Sequence, residues 1–260
     1  MEFTTIKTAR DGAAYVITLN RPERRNAISI GAMDELIAAA RIAEREAGVF
    51  GVIITGGEQY FSAGADLNDA LAISSSSEGV EYFGRWHRLN ATLEGLAKPV
   101  IAAIEGFCVT GGCELALACD IRVAAEGSSF GITSSRIGTV AGAGGTQRLP
   151  RAVGAAKALE MLFSADSIDA AEAYRIGLVN RLVPRGQALA EAKSMIAVYA
   201  QRAPLSLAWS KRAVYQGLQM DLASGLELET FLVSTIYTTN DRKEGISAFL
   251  EKRKASFKGN

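Results

Sequence analysis

A chain of 260 residues that is 48% hydrophobic and 22% charged has the make-up of an ordinary soluble globular protein, and it is long enough to bury a large core. Basic and acidic residues balance at 28 each, so there is no basic footprint for nucleic acid. No apolar run approaches membrane length, and the opening Met-Glu-Phe-Thr-Thr-Ile-Lys lacks a signal-type apolar core, so a cytoplasmic protein is predicted.

The first clear element is a strand over residues 15–20, ended by Arg21-Pro22. Residues 26–29 lead into an amphipathic helix whose apolar face carries Met33, Leu36, Ile37, Ala40 and Ile42. A second strand covers 51–55 and runs into Gly56-Gly57. Residues 61–67 then pack small side chains around a glycine. Residues 69–90, with their serine run at 74–77, read as a flexible, lid-like connection or a plain solvated loop. Strands over 99–104 and 120–124 are almost continuously apolar, as in a sheet covered on both faces.

The stretch 102–120 stands out. A strand enters a glycine turn, and a short helix opens at Gly111-Gly112 with Glu114 in its first turn. Glu114 is the only charge between Glu105 and Asp120. Free N–H groups at a helix start beside one carboxylate can hold an oxyanion next to a base. The plainer reading pairs Glu114 with an arginine inside the core. The three cysteines, Cys108, Cys113 and Cys119, fall in the same stretch and read as buried, reduced thiols. The single histidine, His87, rules out a two-histidine zinc site, has no nucleophile motif around it, and leaves no metal site predicted.

Residues 141–148 are glycine-rich but lack the Gly-Lys-Ser/Thr ending of a phosphate loop, which favours close packing or a tight turn. Helices follow over 155–163, 169–176 with Asp169 as the cap, 188–200, 204–216, 222–237 and 242–254. The break at Pro184-Arg-Gly divides an α/β core (1–184) from a helical region (185–260). Lys252, Arg253, Lys254 and Lys258 read as a solvated face, with a phosphate contact as the sharper alternative.

Seven segments taken together resemble the crotonase superfamily, the enoyl-CoA hydratase/isomerase family. They are Asn20-Arg-Pro with Asn26-Ala27, residues 61–67 (Phe-Ser-Ala-Gly-Ala-Asp-Leu), 98–106, 111–120, 142–149, 173–183 and 244–253. The match spans nearly the whole chain in order. It implies a spiral of β-β-α turns with a helical C-terminal region for oligomerisation and pocket closure, assembled as a homotrimer or hexamer. It also implies an acyl-CoA thioester substrate, with coenzyme A entering as part of that substrate and no separate cofactor.

By the same resemblance, the N–H groups of Ala65 and Gly111 bind the thioester oxygen. Ala63, Asp66 and Leu67 lie where the family holds the adenine–pantetheine end, and Lys254 and Lys258 where relatives reach CoA phosphates. Of the two glutamates that hold water in family hydratases, the first maps onto Glu114. The second maps onto Ser134, a hydroxyl with no useful acidity near neutral pH that can still orient water or a polar substrate group. Thr110 stands at a family glycine and Ala141 at a usual proline. The implied activity is an enoyl-CoA hydratase or dehydratase in fatty acid or aromatic acid catabolism. Isomerisation, decarboxylation, or acyl-CoA binding without catalysis are the alternatives.

Overall fold

The computed structural model describes residues 2–260. Strands β1 (Ile6–Asp11) and β2 (Ala14–Leu19) form an antiparallel pair, followed by helix α1 (Ile30–Arg45) and strand β3 (Gly51–Thr55). Next come α2 (Leu67–Leu71), α3 (Ser76–Gly95), β4 (Val100–Ile104), β5 (Phe107–Val109), α4 (Gly111–Leu117), β6 (Ile121–Ala125) and β7 (Ser129–Gly131). Then follow α5 (Gly145–Val153), α6 (Ala155–Ser164), β8 (Ile168–Asp169), α7 (Ala170–Arg175) and β9 (Arg181–Val183). The chain ends with α8 (Ala188–Tyr199), α9 (Pro204–Gly217), α10 (Leu222–Ile236) and α11 (Asn240–Leu250).

The strands sort into a sheet of order β1-β2-β3-β4-β6-β9, parallel beyond β2, and a small sheet of order β5-β7-β8. From β4 to β7 the chain alternates between them. Strands β4 and β6 each run in the large sheet and pass through a tight turn into β5 and β7 of the small one. The chain then goes on into helical turns. Loop 61–66 joins the same second layer through an isolated bridge between Ser62 and Cys108. This repeated long strand, short strand and helix is the expected spiral.

All five residues of β3 and of β4 are buried, as expected of runs whose one polar residue is Thr55. Successive side chains point to opposite faces. Val52, Ile54, Val100, Ala102 and Ile104 therefore feed the main core with α1, α3 and α4. Ile53, Ile101 and Ala103 feed a second core against Ala188, Ala192, Met195 and Ile196 of α8. Helix α8 thus belongs to the layer under the sheet, although it follows the Pro184 break.

Several expectations change. Residues 69–90 are mostly helical rather than a plain loop: Asp66 caps α2, and Ser75 caps α3 by accepting from Glu78 N–H. Tyr82, Trp86, Leu89 and Leu93 of α3 recur at helical spacing and are buried. Ile42 is 39% exposed, and Ala39 and Ala43 take its place on the buried face of α1. The last helix spans Asn240–Leu250, not 242–254, so Lys252, Arg253 and Lys254 lie beyond it. Lys252 takes φ 54°, the left-handed conformation of a chain leaving a helix. Asp169 caps α7 by accepting from Glu172 N–H at 2.7 Å, as expected.

Candidate active site

The site is built where the turn before α2 meets the start of α4. Gly64 takes φ 104°, a conformation for which glycine is suited. A Cβ built on Gly64 would lie 3.1 Å from Gly111 N, and one built on Gly111 would lie 3.0 Å from Ala65 N. The two turns therefore interlock, with the N–H groups of Ala65 and Gly111 side by side. Neither N–H donates to a backbone acceptor among the described residues. Gly112 is needed for the same close approach, since a Cβ there would meet Ser62 Cβ at 2.7 Å.

The brace behind this turn explains the Asn20-Arg-Pro and Asn26 motif. Asn26, at φ 54°, donates from Nδ2 to Gly56 O (2.9 Å) and Phe61 O (3.2 Å), and accepts from Arg21 N–H. Arg21 reaches Ala27 O at 2.7 Å and Asp66 Oδ2 at 2.9 Å. Ser62 Oγ donates to Asn26 O and accepts from Gly64 N–H. Burial acts to raise the Asp66 carboxyl, but Arg21 and the Asn68 N–H outweigh it and hold the carboxyl below its ordinary range. Asp66 is thus a brace for the donor turn through its side chain.

Glu114 is 3% exposed. Its Oε1 accepts from Ala143 N–H and Gly145 N–H, each at 2.8 Å, which gives loop 141–145 its place in the site. The expected arginine partner is absent: Arg148 makes a two-pronged bond to Glu94 and acts on Glu114 only through its charge. Burial raises the Glu114 carboxyl above its ordinary 4.5, while the two N–H bonds and Arg148 work the other way. With Oε1 committed to two donors, a proton on this group sits on Oε2. Oε2 is not among the sealed, partnerless polar atoms.

Other acids of the stretch have structural work. Glu105 accepts from Gly186 and Ala188 N–H at the start of α8, and Asp120 binds Lys211 and Tyr215 of α9. The three thiols are buried and free, with burial pushing Cys119 up to about 12. Helix α3 closes the far wall. Trp86 lies against Gly111 and Phe83 against Gly142, and Asn90 donates to Ala143 O at 2.6 Å. Sequence flagged Ala143 and Gly145 only as part of the glycine-rich run 141–148, and Trp86 and Asn90 not at all. The helical spacing of Trp86 and Asn90 was the available signal.

Ser134 opens a short 3-10 turn after β7 and is 4% exposed; its hydroxyl bonds to none of the described residues. Thr110 takes φ 49°, ψ −120°, which is strained for a β-branched residue by about 1–3 kcal/mol. Its N–H donates to Gly131 O at 2.7 Å, its carbonyl accepts from Glu114 N–H, and its hydroxyl bonds Thr133 Oγ1 at 2.8 Å. Ala141 is buried.

Ala63 is half-buried, its N–H given to Arg25 O, and Leu67 is 62% exposed at the rim. Lys254 and Lys258 are exposed on a tail that folds back on α11, where Lys258 N–H donates to Asp241. Neither lysine side chain bonds to residues 63–67 within the chain. Among the described residues no group of His, Cys, Asp or Glu could hold a metal, and no helix is long and apolar enough to cross a membrane.

A model of the Enoyl-CoA hydratase/isomerase family matches residues 9–260. The chain is 40% identical over 253 residues to the mitochondrial enoyl-CoA hydratase of Pongo abelii, covering 97% of this chain and 86% of that one. It is 37% identical over 255 residues to the short-chain-enoyl-CoA hydratase of Clostridium acetobutylicum, covering 98% and 97%. The solved structure of enoyl-CoA hydratase from Bacillus anthracis matches with a TM-score of 0.93 at 36% identity, covering 99% of this chain and 100% of that one. The chain belongs to the enoyl-CoA hydratase/isomerase family of enzymes and has the crotonase fold.

Proposed function

We propose that the protein adds water to enoyl-CoA thioesters, or removes it from the hydroxyacyl products, with Glu114 as its single proton carrier. The observation that carries this reading is a carboxylate pinned at Oε1 by two backbone donors, in the helix turn that begins at the unpaired Gly111 N–H. Water oxygen bonds to the β carbon while its proton passes to Glu114 Oε2. The double-bond electrons move to the thioester oxygen, where the Ala65 and Gly111 N–H groups receive the negative charge. Oε2 then returns the proton to the α carbon as the enolate collapses. The net change is hydroxyl at the β carbon, hydrogen at the α carbon and carboxylate restored. Ser134 orients the water and moves no proton.

Coenzyme A enters as part of the substrate, past Ala63, Asp66 and Leu67, with Lys254 and Lys258 offered to its phosphates. No separate cofactor takes part. The exposed apolar side chains Leu222, Leu226 and Phe231 of α10, with Phe249 and Leu250 of α11, support assembly as a homotrimer or hexamer. The buried reduced thiols support a cytoplasmic setting for acyl-CoA catabolism.

A second reading has one specific observation in its favour: only one carboxylate serves the site, and Ser134 stands where a second would. Isomerisation and decarboxylation need no second acid. Mass spectrometry of products from a mixed acyl-CoA panel separates the readings. Hydration is expected as a mass gain of one water on enoyl-CoAs, with a Ser134→Glu variant changing the rate and not the product. Isomers of unchanged mass or release of CO2 as the main outcome would overturn hydration. So would strong hydration created by Ser134→Glu from almost none.

A further inference from the structure

The strain at Thr110 has a partner on the next layer. Its Cβ lies against the donor turn, since a Cβ built on Gly64 would stand 3.0 Å from it. Thr110 and Glu114 stand four residues apart, one helical turn, and are joined by the bond from Glu114 N–H to Thr110 O at 2.9 Å. The Thr110 hydroxyl bonds that of Thr133 at 2.8 Å, and Thr133 adjoins Ser134. Two threonine hydroxyls, one from each turn, therefore meet beside the donor pair.

Their hydrogen-bonding capacity is only partly used. The threonine pair consumes one O–H, and Thr110 Oγ1 also accepts from Thr133 N–H at 3.4 Å, which leaves the pair one free O–H and spare lone pairs. Nearby cations are engaged elsewhere, Arg148 by Glu94 and Arg136 by Asp166. A cluster with free donors and acceptors and no charge matches a neutral oxygen. It matches a carboxylate poorly, for want of a cation, and a bare methylene chain poorly, because the hydroxyls would lose their water unpaired.

We propose that Thr110 and Thr133 form a specificity subsite that selects CoA thioesters carrying a hydroxyl or keto oxygen on the acyl chain close to the reacting carbons. Thr110 is the specificity-determining residue: it holds a glycine-like backbone conformation, directly precedes Gly111 and pairs its hydroxyl with that of Thr133. This rests on the acyl-CoA reading of the site and adds the class of acyl group.

The test is calorimetric binding of two thioesters of matched shape that cannot be hydrated, γ-hydroxybutyryl-CoA and pentanoyl-CoA, in which a hydroxyl replaces a methyl. The intact protein is expected to bind the hydroxy member about tenfold more tightly, the worth of one net hydrogen bond. That ratio should fall to near one in Thr110→Val, which keeps the branching, and persist in Thr110→Ser, which keeps the hydroxyl. Equal binding by the intact protein, or a ratio unchanged in Thr110→Val, overturns the subsite and leaves the acyl-CoA reading standing. Failure of both thioesters and of free coenzyme A to bind overturns the two together.

Discussion

Replacing Glu114 with glutamine is expected to slow enoyl-CoA hydration by about 10²–10⁴, the usual contribution of a positioned acid–base group. The shape of the site survives, because a glutamine carbonyl can accept the same N–H bonds from Ala143 and Gly145. What is lost is the proton at Oε2. In the unaltered protein, activity should fall as pH drops through a value above the ordinary carboxylate range, since burial holds this group up and the working form is ionised. Stability should move the opposite way. A carboxyl whose folded pKa lies above its unfolded value costs stability once pH exceeds the folded pKa, and costs nothing below the unfolded one. Glu114→Gln is therefore expected to melt at or above the parent temperature at neutral pH, with the difference vanishing in acid. Steady-state kinetics beside melting curves check this. A full-speed Glu114→Gln would remove the residue from the chemistry.

Gly111→Ala is the second large effect. Its Cβ would stand 2.9 Å from Trp86 Cη2 and 3.0 Å from Ala65 N, so the indole or the donor turn has to shift. The two N–H groups then part, or the new methyl occupies the place of the thioester oxygen. Loss of one such donor is worth about 10²–10³ in kcat. A Cβ at Gly95, the last residue of α3, meets nothing within 4 Å, so Gly95→Ala serves as the control and should leave kcat intact. Rates for the two variants at saturating substrate decide the matter. A Gly111→Ala enzyme with parental kcat would exclude that N–H from the oxyanion site.

The large sheet was readable because its strands are buried on both faces and therefore apolar throughout, as Val52–Ile54 and Ile101–Ala103 illustrate. The small sheet was not. Its strands are two or three residues long, too short to show any period. Helix α3 was misread because its serine-rich opening and polar outer face hid Tyr82, Trp86, Leu89 and Leu93, whose spacing carried the helix signal. Of the candidate site, Ala65, Gly111, Glu114 and Ser134 could be named from motifs. The bonds that hold it together could not, since Glu114 is held by peptides 29 and 31 residues away and the Ala65 turn by Asn26 across 35. Such long-range pairings leave no local pattern. Thr110 was legible as a substitution but not as strain, which only its backbone angles express.

The most direct measurement follows crotonyl-CoA in D2O by mass spectrometry and proton NMR, with Glu114→Gln alongside. The predicted product carries a hydroxyl at the β carbon and one solvent deuterium at the α carbon, and both form about 10²–10⁴ more slowly with Glu114→Gln. Hydration and α-labelling that keep the parental rate without the Glu114 carboxylate, or deuterium placed elsewhere on the chain, would contradict an enolate held at Ala65 and Gly111 and protonated by Glu114.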